Sequence, residues 1–156
     1  MPPPYPGIFC FTLHPFTTNM TFKSFLPGIA WFIISVVLLT LPGKDLPHNE
    51  LFNIPFFDKY VHLTMFFMLT ALFCYPFFYF PGNDSVIKSW FIKIAAYVIV
   101  YGILMEYVQK YFVNERSFDL ADMFFDALGS VAGLIAVSIY YGKKIGPNRN
   151  RGRNQN

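Results

Sequence analysis

The sequence predicts an all-α membrane protein whose four transmembrane helices form a compact bundle. Of its 156 residues, 54% are hydrophobic and only 13% are charged, whereas soluble proteins average about 25% charged residues. Four apolar stretches, at 25–41, 59–80, 89–109 and 120–141, are each long enough for a helix to cross roughly 30 Å of hydrocarbon. They lack the strict alternation of apolar and polar residues that marks the strands of a membrane barrel.

The first two predicted spans have clear boundary signals. Span one, 25–41, stops at Pro42-Gly43-Lys44-Asp45, where Pro and Gly favour a turn and the charges favour water. Span two begins at Asp58, because the positive N-terminal end of a helix dipole stabilises an acid. Pro76 lies near the other end of this span and predicts a kink there.

The other two spans are bounded by short polar connections. A loop at 81–88 precedes span three, and Lys93 lies about one turn inside that span, where its ammonium group can extend to the membrane surface. A short loop at 111–118 leads from span three into span four.

The distribution of positive charge predicts the topology. The tail at 143–156 carries five Lys and Arg residues and no acid. Because Lys and Arg are retained on the cytoplasmic side, we expect both termini to be cytoplasmic and the loops at 42–58 and 110–119 to face outward. The basic tail favours a topology anchor over a nucleic-acid interface, so no nucleic-acid partner is predicted.

The first nineteen residues do not have the pattern of a signal peptide. They lack a basic start, a long apolar core and a small-residue cleavage site. Met20 precedes an apolar run and is a second plausible start. We therefore expect 1–19 to be a disordered leader or a start-site overcall, 20–142 to be the membrane domain, and 143–156 to be a disordered cytoplasmic tail.

Several ionisable or amide-bearing side chains lie at the ends of the spans or just inside them. This topology places that set on the outer side of the membrane. Polar groups at a membrane boundary are costly, so such a set is a functional-site hypothesis by default. The set comprises Asp58, Lys59, His62, Glu106, Gln109, Arg116, Asp119, Asp122 and Asp126.

The start of span two combines an acid, a base and an imidazole. Asp58 and His62 are four residues apart and lie one above the other on a helix, and Lys59 flanks His62 at a spacing of three. The Asp58 carboxylate would then fix the tautomer of the imidazole. The structural alternative is a capping Asp and an interfacial His that only marks the edge of the membrane.

Span three ends with Glu106 and Gln109, which are one turn apart and point the same way. Lys110, four residues after Glu106, offers a local ion pair as the simplest explanation. Because Glu106 lies inside the apolar run, where an unpaired carboxylate costs several kcal/mol, we favour a partner for it on another helix.

Span four carries its polar residues on one face. Asp119, Asp122 and Asp126 are spaced by three and four residues, and Gly129 and Gly133 continue the stripe as a helix-packing motif. Asp119 is interpreted either as a helix N-cap or as part of the site. Asp126 lies deeper in the membrane and must meet a cation, a donor or a proton.

These residues resemble the VanZ-like family of small bacterial membrane proteins over essentially all of 25–141. One departure is Asp126, where the family pattern more often has Asn. The shared elements are Leu41-Pro42-Gly43-Lys44, Asp58-Lys59-x-x-His62, Glu106-x-x-Gln109 and Arg116-Ser117-x-Asp119-x-x-Asp122-x-x-x-Asp126-x-x-Gly129-x-x-x-Gly133.

The resemblance implies a multi-pass protein of the bacterial inner membrane with a role in the cell envelope. The family takes its name from a protein associated with low-level resistance to the glycopeptide antibiotic teicoplanin, and no reaction is firmly attached to it. Resistance itself is not carried over to this chain.

The leading hypothesis is an outer-face site that binds or modifies an envelope lipid or glycolipid. His62 would be the acid or base, Glu106 and Asp122 a second base or metal ligands, and Lys59 and Arg116 the phosphate-binding cations. The predicted ligand-binding residues also include Asp58, Gln109, Asp119 and Asp126. Carboxylates and a His would suit Mg²⁺, Mn²⁺ or Zn²⁺, but Lys59 and Arg116 could equally neutralise the acids without a metal, so the cofactor stays open.

Two other hypotheses compete with a lipid site. In the first, the charges form a non-catalytic network between helices, and the protein acts through a protein partner. In that case, charge reversal of Arg116 with Asp119 should restore function. In the second, Asp126 belongs to a small proton-coupled transporter, which would require a homo-oligomer formed through the Gly129 and Gly133 face.

Overall fold

The computed structural model describes residues 21–41, 57–80, 82–113 and 118–145, which form helices and contain no strand. Helix α1 (Leu26–Thr40) follows a 3₁₀ turn at Phe22–Phe25, and α2 (Phe57–Cys74) continues into a 3₁₀ turn at Tyr75–Tyr79. Helix α3 is Asp84–Phe112, and α4 is Leu120–Tyr140 followed by a π-helical turn at Tyr141–Ile145.

The prediction of four helices that are long and apolar enough to cross a membrane is confirmed for the described residues. The segments that are long and apolar enough to cross a membrane are Phe22–Thr40, Phe57–Tyr79, Asp84–Phe112 and Leu120–Lys143. Their outward faces carry large exposed apolar side chains, such as Ile33, Ile92 and Ile135, which is the pattern of helices surrounded by lipid.

Two helix boundaries differ most from the prediction, and α3 also continues to Phe112, inside the predicted loop at 111–118. Helix α3 begins at Asp84, inside the predicted 81–88 loop, because Asn83 is extended and Asp84 occupies the first turn, where the helix dipole favours an acid. At the end of span two, Pro76 does not simply bend an α-helix. The α-helix ends at Cys74 and tightens into a 3₁₀ turn that contains Pro76, a residue that has no N–H for the α-helical pattern.

Several sequence predictions lie outside the described residues. They concern the leader at 1–19, the Pro42-Gly43-Lys44-Asp45 turn with the loop that follows it, Arg116, and the tail beyond Ile145.

The helices run in alternating directions, so the end of α1, the start of α2, the end of α3 and the start of α4 lie together. We call this the polar end. There Gln109 on α3 donates from Nε2 to the Leu39 carbonyl of α1 at 2.8 Å. At the opposite end, called the far end, the Tyr141 hydroxyl donates to Asp84 Oδ1 at 2.8 Å.

Helix α4 packs closely along α2, and both helices contact α3. A Cβ on Gly129 would lie 2.3 Å from the Leu63 carbonyl oxygen, and one on Gly133 would lie 2.8 Å from that of Phe67. The glycine face predicted on span four is therefore used inside the chain, against α2. This supports the helix-packing role predicted for these glycines, and a homo-oligomer stays a prediction.

Apolar layers fill the space between the helices. One cluster includes Leu39, Met65 and Phe66 and lies toward the polar end. A second, the far-end cluster, consists of Cys74, Phe77, Ile87, Phe91, Val137 and Tyr141. Between them, Thr70 Oγ1 and Ser130 Oγ are 3.0 Å apart, and Ser130 donates to the Ala95 carbonyl at 3.1 Å, which links α2, α4 and α3.

Candidate functional site

The centre of the polar end is a hydrogen bond between His62 on α2 and Asp126 on α4. His62 Nδ1 and Asp126 Oδ1 are 2.9 Å apart, and each residue is only 2% exposed. Asp126 thus meets the donor that its depth in span four requires. An ionised Asp126 accepts a hydrogen bond from Nδ1–H of a neutral imidazole. In that tautomer Nε2 carries no proton and has a free lone pair.

Asp58 does not make the contact that its helical spacing predicts. Its Oδ1 lies 4.0 Å from His62 Nε2, which is too long for a hydrogen bond. The carboxylate that orients the imidazole is Asp126, on another helix. Asp58 instead lies on the Nε2 side of the imidazole, and its side chain is 52% exposed. We call this exposed edge of the site the mouth.

Gly102 on α3 leaves space for the side chains of this pair. It was not among the site residues predicted from the sequence. A Cβ at this position would lie 2.9 Å from both Asp126 Oδ2 and Phe66 Cε1. The signal was available in the sequence, because an isolated glycine inside a helical pattern usually has a packing reason.

An aromatic layer supports the imidazole from below. The rings of His62 and Phe66 are nearly parallel, with an interplanar angle of 6° and centroids 6.5 Å apart. Phe66 stacks in turn on Tyr101 at 5.6 Å, and the Tyr101 hydroxyl lies 2.9 Å from Ser35 Oγ on α1. All four helices therefore help to hold His62 in one orientation.

Lys59 is an ion-pair partner within the protein. Its Nζ donates to Asp119 Oδ2 and to Asp122 Oδ1, both near the start of α4. Its side chain is 13% exposed and that of Asp122 only 7%. These carboxylates accept from two of the three donors of the ammonium group and balance its positive charge, which leaves Lys59 less suited to its predicted phosphate-binding role.

Asp119 is the N-cap of α4. Its Oδ1 accepts the Ala121 N–H at 2.8 Å while its other oxygen accepts from Lys59. The hydrogen bond from Lys59, followed by that from the Ala121 N–H, holds the pKa of the Asp119 carboxyl below its ordinary value. The cap interpretation of Asp119 is therefore confirmed, and its part in a ligand site stays a prediction.

Glu106 is 1% exposed, and its partner lies on another part of the chain, as expected. Its Oε2 accepts the Asp119 N–H at 3.1 Å, next to the positive end of the α4 dipole. The local alternative does not apply, since Lys110 Nζ lies over the rings of Tyr111 and Phe118 at 5.3 Å and 5.7 Å. Glu106 thus stabilises the start of α4.

Gln109 is used in a similar way. It is 1% exposed and its amide donates to the Leu39 carbonyl, one of the last carbonyls of α1, which lack a partner within their own helix. The structure therefore connects Gln109 to the end of α1 instead of directing it toward Glu106 and a ligand.

Three side chains of the polar end have the arrangement of metal ligands. Asp58, His62 and Asp122 each offer one ligand atom, and these atoms all lie within 4.8 Å of one another. This grouping differs from the predicted pair of Glu106 and Asp122, because Glu106 is held at the Asp119 backbone.

The comparisons with known proteins identify no relative. No protein-family model matches the chain, and neither a curated protein nor a solved structure matches it. The VanZ-like resemblance therefore stays a prediction that rests on the order and spacing of the sequence motifs.

Proposed function

We propose that this chain is a VanZ-like protein of the bacterial inner membrane whose polar end faces outward and binds or modifies an envelope lipid or glycolipid. In this proposal the four spans form a compact bundle with both termini in the cytoplasm. The apolar helices, the basic tail and the motif order support the assignment.

The observation that carries the proposal is the buried pair of His62 and Asp126. Placing an imidazole and a carboxylate inside a membrane helix pair costs free energy, and their hydrogen bond leaves Nε2 directed toward Asp58 at the mouth. An oriented imidazole of this kind can move a proton or bind a cation. Nε2 is the atom that we assign to the ligand.

The depth of the site fits a lipid head group. His62 lies one to two turns into α2, while the side chains of Asp58 and Asp119 are 52% and 43% exposed at the surface. A ligand anchored by its acyl chains would present its head group at this level. Because Lys59 is already paired with two carboxylates, we propose that Arg116 or a metal binds the head-group phosphate.

The test compares His62→Ala and Asp126→Asn with Thr70→Val in a strain that lacks the chromosomal gene. Thr70 is a matched control, because it also makes a buried hydrogen bond from α2 to α4. We expect the two site variants to lose the envelope phenotype, measured as lipid composition, at membrane levels equal to those of Thr70→Val. Full activity of both site variants would exclude the proposal.

A non-catalytic role in binding a protein partner is the second candidate. It is favoured by the fact that Lys59, Glu106 and Gln109 all make contacts that connect helices. In this case single variants of Lys59 or Asp122 should lose activity in proportion to their loss of folded protein. Exchanging the two residues should restore both the activity and the amount of folded protein. The predicted exchange of Arg116 with Asp119 involves a residue outside the described part of the chain.

Transport receives the least support. The described polar side chains inside the helices extend from the mouth to Thr70 and Ser130, and the far-end cluster follows. Proteoliposome flux with Asp126→Asn tests this alternative, since flux that depends on Asp126 would favour it.

A further inference from the structure

We propose that the polar end binds a divalent transition metal of the Zn²⁺ class between Asp58, His62 Nε2 and Asp122, with Asp126 orienting the imidazole. The inference rests on the site of the proposed function and names the occupant of Nε2. A single His nitrogen with two carboxylates suits Zn²⁺ or Mn²⁺ better than Mg²⁺, which prefers oxygen ligands and water.

The distances fit a site that closes around an ion. The three ligand atoms lie within 4.8 Å of one another, and Nε2 is 4.0 Å from Asp58 Oδ1. With metal–ligand bonds of about 2.0–2.1 Å, tetrahedral ligand atoms lie about 3.3 Å apart. Movements of about 1.5 Å or less therefore close the site, and the exposed Asp58 side chain is free to supply most of them.

The environment of His62 independently points to a ligand. A metal-binding His typically donates its other ring N–H to a carboxylate, as the 2.9 Å contact between Nδ1 and Asp126 allows. Within the described ranges, no hydrogen bond reaches Nε2 of this buried residue. Nε2 lies 4.0 Å from Asp58 Oδ1, and ligand atoms of His62, Asp58 and Asp122 lie within 4.8 Å of one another, so a cation placed among them would be near all three side chains.

The charge balance favours a cation. Within the described part of the polar end, the acids outnumber the ammonium groups of Lys59 and Lys110. The acids are Asp58, Glu106, Asp119, Asp122 and Asp126. A bound divalent cation would offset part of this excess of acidic groups, which is costly at a membrane boundary. Lys59 donates to Asp122 Oδ1, and a carboxylate has a second oxygen that can bind a metal.

The experiment measures metal binding by the full chain in detergent after removal of metals with a chelator. Titration with Zn²⁺ should show one ion per chain and raise the unfolding temperature, because an ion that binds the folded state stabilises it. Co²⁺ should give the strong visible absorption bands of a tetrahedral site. Mg²⁺ should bind much more weakly.

The variants separate ligands from neighbours. Asp58→Asn changes an exposed side chain, so it should fold normally and weaken Zn²⁺ binding by at least about tenfold, while Asp126→Asn should weaken it about 10- to 100-fold. Thr70→Val, which removes a hydroxyl deeper in the bundle and outside the three ligands, should bind as the unaltered chain does. Absence of a stoichiometric ion, or unchanged affinity in Asp58→Asn, would overturn the metal site.

The two proposals fail separately. If no ion binds and His62→Ala still loses the envelope phenotype, Nε2 acts through a proton and the proposed function stands. If Zn²⁺ binds as expected but His62→Ala retains the phenotype, the metal site stands and the proposed function does not.

Discussion

Gly102 on α3 lies directly against Asp126 on α4, with 2.9 Å between the position of its missing Cβ and Asp126 Oδ2. This close approach lets three helices meet at the one buried carboxylate that orients His62. The absence of a side chain at residue 102 is therefore part of the site.

Substituting Gly102 by Ala should displace Asp126 or Phe66, because the new methyl group would contact both. We expect a loss of about 1–3 kcal/mol in the free energy of unfolding, together with weaker Zn²⁺ binding. Gly28→Ala is the matched control, since its Cβ would make an ordinary 3.4 Å contact with the Phe73 ring. Equal behaviour of the two variants in thermal unfolding and metal titration would contradict this assignment.

Substituting Gly129 by Ala should be more damaging than substituting Gly133. The added Cβ would lie 2.3 Å from the Leu63 carbonyl oxygen, whereas at Gly133 the nearest backbone oxygen is 2.8 Å away. Because backbone atoms cannot rotate aside, α2 and α4 must separate. Unfolding in a denaturing detergent should therefore rank Gly129→Ala below Gly133→Ala, and both below Gly28→Ala. The reverse order would show that α2 and α4 do not pack through this face.

Removing the charge of Lys59 should destabilise the polar end. Lys59→Met leaves the nearly buried Asp122 without its cation, and breaking a buried ion pair in this way costs about 3–5 kcal/mol. The double exchange Lys59→Asp with Asp122→Lys should recover part of the loss. Folded protein in the membrane, measured by fluorescence size-exclusion chromatography, reports both effects. A double variant no better than Lys59→Met would show that the pairing contributes little.

Acid should weaken the contact between α2 and α4 through Asp119. Because its pKa is lowered in the folded protein below the ordinary 3.8, mainly by the hydrogen bond from Lys59, its ionised form stabilises the fold above pH 3.8. This contribution is lost as the pH falls through the lowered pKa. The unfolding temperature of the unaltered chain should therefore fall more steeply below pH 3.8 than that of Asp119→Asn.

The control for this pH effect is the Lys59→Met background, which lacks the main cause of the lowered pKa. There, Asp119→Asn should change the acid dependence much less. The same difference between the Asp and Asn forms in both backgrounds would assign the effect to the Ala121 cap instead of Lys59.

The sequence predicted the helices well because their signal is local. Hydropathy and length identify a span without knowledge of its neighbours. Two boundaries were less accurate, since the start of α3 at Asp84 and the 3₁₀ turn around Pro76 depend on backbone geometry within one turn. Both departures lie at the far end and leave the polar end unchanged.

The contacts between side chains on different helices could not be predicted from local sequence patterns. The spacing of Asp58 and His62 indicated a contact within α2, but the face that α2 turns toward α4 places Asp126 closer. Successive side chains along a helix point about 100° apart. The periodicity of one helix therefore does not determine how it is rotated relative to another helix. For the same reason, the sequence allowed Lys59 to neutralise the acids but did not identify Asp119 and Asp122 as its partners.

The far-end cluster has a consequence for energy coupling. Its tightly packed rings and aliphatic side chains, among them Phe77, Phe91 and Val137, close the described interior to water on that side of Thr70 and Ser130. We therefore expect a proton or ion released by His62 to return to the aqueous compartment it came from. Chemistry at His62 would draw no work from the electrochemical gradient, and collapsing that gradient with an uncoupler should leave its rate unchanged.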